Sequence, residues 1–260
     1  MAVRLDKVLS ELGVASRREL KQMIRSGRVS VNGQTVTEPE KHIDPEKDAL
    51  CLDGAALRLR RFRYFMMDKP AGVLSVTEDR KQRTVLELLP PELKRLGLFP
   101  VGRLDKDTCG LLLLTDDGDL DFRIMQPDRH VSKTYFFYAI GTMDDEKIRS
   151  LEKGISMVGF TARPASFRLI RNYRISQLEE FFPSERRERY LKNPDGPAFA
   201  AELTIHEGKK HEVKRMLEAV HCKIFYLKRI SIGGLSLDDS LAEGQYRPLY
   251  DYELQLLEKY

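Results

Sequence analysis

The sequence predicts an α+β protein in two parts: a small module made of a helix pair and a hairpin, then a larger domain that mixes strands with helices. Three observations carry this. Near the N-terminus Leu5, Val8, Leu9 and Leu12 fall at i, i+3, i+4 and i+7, and a second helix start follows within a few residues. In the middle, Leu111 to Leu114 form an unbroken apolar run bounded by turn residues, which reads as a strand buried on both faces. Late in the chain Val213, Met216, Leu217 and Val220 repeat at helical spacing.

The 260 residues suffice for one large domain or two smaller ones. With 42% hydrophobic and 32% charged residues the chain is soluble and able to bury a real core. Its apolar runs are only a few residues long, so neither a transmembrane helix nor a signal peptide is expected. Cys51, Cys109 and Cys222 are widely spaced, which gives no disulfide framework and no zinc pattern and points to a reducing cytoplasm. His211, His221 and Cys222 are neighbours but lack ligand spacing, so no metal is expected. The net charge is +4, and residues 1–64 hold all of it, with 13 Lys and Arg against 9 Asp and Glu. That placement is the footprint of an accessory nucleic-acid binder, although a solvated face would also carry so small a surplus.

In order along the chain, residues 4–12 are predicted as an amphipathic helix closed by Gly13. Ser16-Arg-Arg-Glu19 is a capping box opening a second helix, with Leu20, Met23 and Ile24 inward and Ser26-Gly27 as its end. Val29 to Val36 reads as a hairpin around Asn32-Gly33. Arg17, Arg18, Lys21, Arg25 and Arg28 cluster on or just after the second helix, spaced so that several face outward together and neutralise phosphates. A linker with Pro39 and Pro45 is expected through Asp48, and the arginine-rich stretch Arg58 to Arg63 leads into an apolar strand at Tyr64 to Met67. Asp68 to Gly72 reads as a turn, and the domain boundary falls near residue 60.

The organising stretch is Val101-Gly-Arg-Leu-Asp-Lys-Asp-Thr-Cys-Gly-Leu-Leu-Leu-Leu-Thr-Asp-Asp-Gly-Asp119. Gly102 and Gly110 mark close backbone approach or positive φ. Arg103 and Asp105, two apart, share one face if extended, which holds a carboxylate beside a guanidinium at the mouth of a core strand. Asp116-Asp117-Gly118 reads as a turn and nothing more. A rival reading is a calcium loop, because Asp105, Asp107, Gly110 and Asp116 fit loop positions 1, 3, 6 and 12; Cys109 at position 5 and an Asp at position 12 argue against it.

Beyond it, residues 119–126 form a short helix ended by Pro127, and the aromatic-rich Lys133 to Ile140 forms a strand. Residues 171–197, polar and broken by Pro183, Pro194 and Pro197, read as an insertion or mobile loop. The helix over 211–220 presents His211, Lys214, Arg215 and Glu218 outward, and Lys209, Lys210, Lys214 and Arg215 together make a phosphate rail or simply a solvated face.

Arg4-Leu-Asp-Lys-Val-Leu, Ala15-Ser-Arg-Arg, Ile24-Arg-Ser-Gly-Arg-Val and Val31-Asn-Gly occur in order, and this stretch resembles the S4-type RNA-binding module. Lys69-Pro-Ala-Gly72, the Gly102-Arg-Leu-Asp string, Lys133-Thr-Tyr135, Glu207-Gly-Lys-Lys-His-Glu-Val-Lys-Arg-Met216 and Ile232-Gly-Gly-Leu-Ser-Leu-Asp238 follow. From about residue 60 the chain resembles the RsuA-type (RsuA/RluB) ribosomal RNA pseudouridine synthases. The resemblance implies an S4-like domain over 1–60 that binds RNA through Arg4, Arg17, Arg18, Lys21, Arg25 and Arg28. It implies a catalytic domain over 61–260 on a largely antiparallel sheet, acting on ribosomal RNA or an assembly intermediate, without a cofactor and as a monomer. It casts Asp105 as the carboxylate that attacks C1′ or relays the C2′ proton, Lys214 as its ion-pair partner, and Tyr135 as the ring that stacks on the flipped base or assists proton removal from C5. Arg103, Lys69, His211, Arg215, Lys209 and Lys210 are its substrate contacts. Glu212 departs from the pattern, which usually has an amide there. The Lys-His-Glu-Val-Lys-Arg-Met string favours small-subunit RNA by analogy, with large-subunit RNA the alternative. A non-catalytic RNA-binding factor would be expected to lose Asp105, which is present.

Overall fold

The computed structural model describes residues 2–11, 14–45, 47–57 and 62–260, which divide into two units, Met1–Arg63 and Tyr64–Tyr260. The expected closure of the first helix at Gly13 and most of the Arg58 to Arg63 stretch lie outside the described residues. No described helix is long and apolar enough to cross a membrane.

The first unit runs β1 (Val3–Arg4), α1 (Leu5–Glu11), α2 (Arg17–Arg25), β2 (Val29–Val31), β3 (Gln34–Val36), β4 (His42–Ile43), β5 (Leu50–Leu52) and β6 (Ala55–Leu57). The capping box at Ser16 forms, with the Glu19 side chain returning to the Ser16 N–H at 2.9 Å. Asn32 and Gly33 both take positive φ, 51° and 79°, as a two-residue hairpin turn requires. Leu5, Leu9, Leu20, Ile24, Val29 and Leu50 close the core. The linker expected after Pro39 is instead part of this unit. The Pro39 and Lys41 carbonyls accept the first N–H groups of α1, at Asp6 and Leu5, which have no intrahelical partner. β4 pairs with β1, and β5 and β6 extend the hairpin into a sheet ordered β3-β2-β5-β6.

The second unit contains β7 (Tyr64–Lys69), α3 (Pro91–Lys94), β8 (Phe99–Pro100), β9 (Cys109–Thr115), α4 (Gly118–Met125), β10 (Lys133–Ile140) and α5 (Asp145–Lys153). Next come β11 (Ser156–Met157), β12 (Phe160–Thr161), β13 (Ser166–Arg174), α6 (Arg187–Tyr190), β14 (Pro197–Ile205), α7 (Glu212–Ala219), β15 (Lys223–Ile232), β16 (Leu235–Ser236), β17 (Tyr246–Pro248) and α8 (Asp251–Glu258). The main sheet is ordered β13-β14-β10-β15-β9-β7-β17 and is antiparallel except between β15 and β9. The expected α+β class with a largely antiparallel sheet is what forms. β9 is buried at every residue because apolar clusters cover both its faces, Leu111 and Leu113 on one and Leu112 and Leu114 on the other.

Two local expectations are corrected. Asp117 is the N-cap of α4, accepting from the N–H groups of Asp119 and Leu120, and it also receives the Tyr64 hydroxyl at 2.7 Å. Residues 171–197 are no mobile loop. Their start completes edge strand β13, and short 3-10 turns followed by α6 bury Ile175, Leu178, Phe182 and Tyr190 in one cluster with Phe225 of β15.

Candidate active site

Asp105 lies in the loop that feeds β9, and that loop is clamped from several sides. The Leu104 N–H donates to the Ser75 Oγ at 3.2 Å, and the Lys106 carbonyl accepts the Gly72 N–H at 2.7 Å. Lys69 is fully buried, and its ammonium donates to the carbonyls of Pro70 (2.9 Å), Lys106 (3.3 Å) and Thr108 (2.8 Å). The expectation that Lys69 touches substrate is therefore corrected: the residue ends β7 inside the fold and holds the loop's carbonyls. Burial pushes its pKa down to about 8, opposed by the carboxylates of Asp107 and Asp105. Gly110 fixes where the loop enters the sheet. Its φ is +99°, and a Cβ there would sit 2.2 Å from the Arg229 carbonyl oxygen, so only glycine lets β9 approach β15.

Lys214, on the first turns of α7, reaches back to this loop. Its Nζ lies 2.9 Å from Asp105 Oδ2 and 2.6 Å from Asp107 Oδ1. Burial opposes ionisation of Asp107, but the hydrogen bond and charge of Lys214 outweigh it and hold that carboxyl below the usual carboxylate range. His211, the N-cap of α7 in the left-handed region, places Nε2 3.5 Å from Asp105 Oδ1. Both oxygens of Asp105 thus face cationic or polar nitrogen while the carboxylate stays partly open to a cleft. The calcium reading fails on geometry. Asp105 and Asp107 share an ammonium, while Asp116 lies beyond the far end of β9, roughly 20 Å of strand away.

The cleft beside Asp105 is walled by Arg103, Tyr135, Lys209 and His211, and floored by Lys133, Glu212 and Arg229. Tyr135 and Lys133 come together by alternation, since β10 buries every second residue from Lys133 onward. Burial pushes Glu212 up to about 7, although its carboxylate accepts the Lys209 N–H at 2.9 Å, and Glu207 nearby pushes it the same way.

The phosphate rail does not form as a row. Lys214 is committed to the two aspartates. Arg215 donates to the Val158 carbonyl and stacks on Phe160 with its guanidinium carbon 4.4 Å from the ring centroid. Lys209 lies over the same ring at 4.5 Å and pairs with Glu207 at 2.9 Å. Arg215 is thus turned toward β11 and β12 rather than toward the cleft, while Lys210 is exposed. In the first unit, Arg4, Arg17, Arg18, Lys21 and Arg25 line one groove together with Lys7, which sequence reasoning missed. Arg28 lies apart from it, held to Asp53 by hydrogen bonds of 2.5–3.2 Å.

Sequence reasoning also missed Asp107 as a partner of Lys214, and Lys133 and Arg229 as floor residues. A signal for the last existed in the alternation Phe225, Leu227, Arg229.

With this geometry in hand, comparison with known proteins is informative. Residues 63–219 match the profile of the RNA pseudouridylate synthase family, and residues 3–48 match the S4 domain. An uncharacterized RNA pseudouridine synthase of Bacillus subtilis (strain 168) is 41% identical, covering 98% of both chains. The ribosomal large subunit pseudouridine synthase B of the same organism is 34% identical, over 98% of this chain and 95% of its own. The ribosomal small subunit pseudouridine synthase A of Escherichia coli (strain K12) is 35% identical, over 97% of this chain and 98% of its own. A crystal structure of a pseudouridylate synthase superposes with a TM-score of 0.62 at 31% identity, covering 98% of this chain and 99% of that one.

Proposed function

We propose that this chain, which belongs to the RNA pseudouridylate synthase family and carries an S4 domain at its N-terminus, isomerises one uridine of ribosomal RNA using the Asp105 carboxylate. The membership makes it an isomerase of the RsuA/RluB kind; the substrate and the residue roles are our reading. The observation that carries it is the Asp105 carboxylate, anchored by Lys214 at 2.9 Å and open to a cleft walled by Tyr135.

The reaction breaks the N1–C1′ bond, turns the base, and joins C5 to C1′ with loss of the C5 hydrogen as a proton. Asp105 acts at the ribose, either by adding to C1′ or by taking the C2′ proton, and both routes need an ionised carboxylate at the anomeric centre. Lys214 sets a positive charge 2.9 Å from the Asp105 Oδ2. Tyr135 lies against the base or assists removal of the C5 proton. Arg103 and His211, at the rim, contact the backbone around the extruded nucleotide, whose unstacking costs a few kcal/mol. The groove of Arg4, Lys7, Arg17, Arg18, Lys21 and Arg25 supplies affinity for structured RNA. The protein acts as a monomer in the cytoplasm, where ribosomal RNA is assembled.

The relatives named for the small and large subunits are about equally similar, so the target rests on the Lys210-His-Glu-Val-Lys-Arg-Met216 string, which favours small-subunit RNA. Large-subunit RNA is the second reading. Incubating each RNA with the protein, followed by carbodiimide treatment and reverse transcription, tests this. A new stop in small-subunit RNA alone is the expected result; a stop in large-subunit RNA alone selects the second reading, and none in either RNA defeats the proposal.

A further inference from the structure

The cleft floor holds two buried cations side by side. Lys133 is 5% exposed and Arg229 2% exposed; burial, and then the Arg229 charge, push the Lys133 pKa down to about 8, which leaves it mainly an ammonium at neutral pH. Strand pairing brings them together. Tyr135 lies directly opposite Arg229 across β10 and β15, so the two side chains share a face, and the alternation of β10 puts Lys133 on that face too; the register shifts only beyond this pair, between Tyr135 and Thr134. Neither cation is saturated. Arg229 Nε donates to the Leu111 carbonyl at 2.8 Å, but its Nη2 is buried without a partner. Lys133 donates to the Val131 carbonyl at 3.1 Å, which engages one of three ammonium donors. Glu212 is the floor's acid. Its own tendency to hold a proton near neutral pH leaves the two cations incompletely neutralised.

Burying two like charges with an orphaned donor is unfavourable unless something the site meets repays it. Phosphates are poor candidates, because both heads lie at the bottom of the cleft while the exposed cations stand at its rim. The reaction itself generates an anion at this depth. Heterolysis of the N1–C1′ bond leaves the electron pair on N1 and spreads it onto O2 and O4 of the detached uracil. C5 then uses a pair of that anion to bond C1′, and the C5 hydrogen departs as a proton, so atoms and electrons balance.

Resting on the reading above, we propose that Lys133 and Arg229 are further catalytic residues that receive the carbonyl edge of the extruded uracil and carry its negative charge while it is detached and turning. A base that must rotate is better held by charge than by one fixed set of hydrogen bonds. An ammonium with rotatable donors and a guanidinium fork keep partners for O2 and O4 through the turn.

The test compares RNA transcripts of each subunit made with uridine or with 5-fluorouridine, under single turnover. Fluorine at C5 stabilises the uracil anion, so cleavage needs the cations less. Cleavage is read as loss of the N-linked nucleoside, by chromatography and mass spectrometry of the isolated fragment carrying the position the unaltered protein modifies. Lys133→Met should bind RNA normally and melt no lower, since an uncompensated buried charge is gone. It should cleave at uridine about 100-fold more slowly, the scale on which one buried donor to a developing anion acts. With 5-fluorouridine the loss should shrink to about 10-fold or less, and Lys133→Arg should restore most of the rate. If Lys133→Met fails to fold, Lys133→Gln carries the same comparison. Equal losses on the two RNAs, or a rate within about twofold of the unaltered protein, overturn the inference. An unaltered protein inactive on both uridine transcripts would overturn the parent reading, a result distinct from active protein with indifferent variants.

Discussion

Replacing Lys214 by Met removes the cation that Asp105 and Asp107 share while keeping most of the side chain's bulk. In the structure Lys214 and Asp105 are 21% and 27% exposed, so their 2.9 Å contact is only partly screened, whereas Asp107 is mostly exposed and counts for less. A charge-assisted hydrogen bond of this kind contributes about 2 kcal/mol, in the middle of the usual range. Lys214 now depresses the Asp107 carboxyl, so its removal lets that carboxyl rise. Losing the cation beside the reacting carboxylate should move the acid limb of the pH–rate profile to higher pH. Turnover at neutral pH should fall on the order of 100-fold, since the carboxylate also loses its fixed position. The assay is single-turnover pseudouridine formation between pH 5 and 9, with RNA affinity measured by filter binding. Lys214→Arg should recover much of the rate and return the limb to lower pH. Weaker binding with an unmoved pH profile would refute the reasoning and make Lys214 a phosphate contact.

Further outcomes follow from other contacts. Glu212→Gln keeps the acceptor for the Lys209 N–H and removes an acid that burial raises to about 7 from 4.5. The folded state binds more protons than the unfolded one across that window, so the native protein loses stability as pH rises through it. The variant should match it near pH 4.5 and be more stable by roughly 2–3 kcal/mol above pH 7, as read from urea midpoints; a gain independent of pH would contradict this. Gly110→Ala sets a Cβ against the Arg229 backbone at positive φ, and should cost about 3 kcal/mol or more, with loss of soluble protein. A wild-type denaturation midpoint for that variant would count against the close approach of β9 to β15. Arg18→Ala with Lys21→Ala should lower the slope of log affinity against log salt by about 0.7–0.9 for each phosphate no longer neutralised, with single-turnover rate at saturation unchanged. An unchanged slope would remove the groove from the RNA footprint.

Much of the site was legible because its chemistry is local in sequence. The loop and strand from Gly102 to Thr115 are one continuous segment. What was not legible depended on partners far along the chain. Lys69 before a Pro reads as a surface cation until the fold brings the carbonyls of Lys106 and Thr108 around it. Arg28 reads as one of a basic cluster until Asp53 claims it across the hairpin. Beyond β13, residues 175–196 show no sustained helical or strand period, because their apolar residues sit on short 3-10 turns and the one-turn helix α6. That Arg229 stands opposite Tyr135 is a property of two paired strands, which neither strand's own pattern contains.

In the proposed reaction the Asp105 carboxylate acts at the ribose. Asp105→Asn keeps the shape and removes the charge that Lys214 and His211 face. The direct measurement is tritium release from ribosomal RNA labelled at C5 of uridine, since a C5–C1′ bond cannot form without expelling that hydrogen. The expected result is a folded variant with unchanged RNA affinity and release at background. Release at the rate of the unaltered protein by folded Asp105→Asn would contradict the assignment.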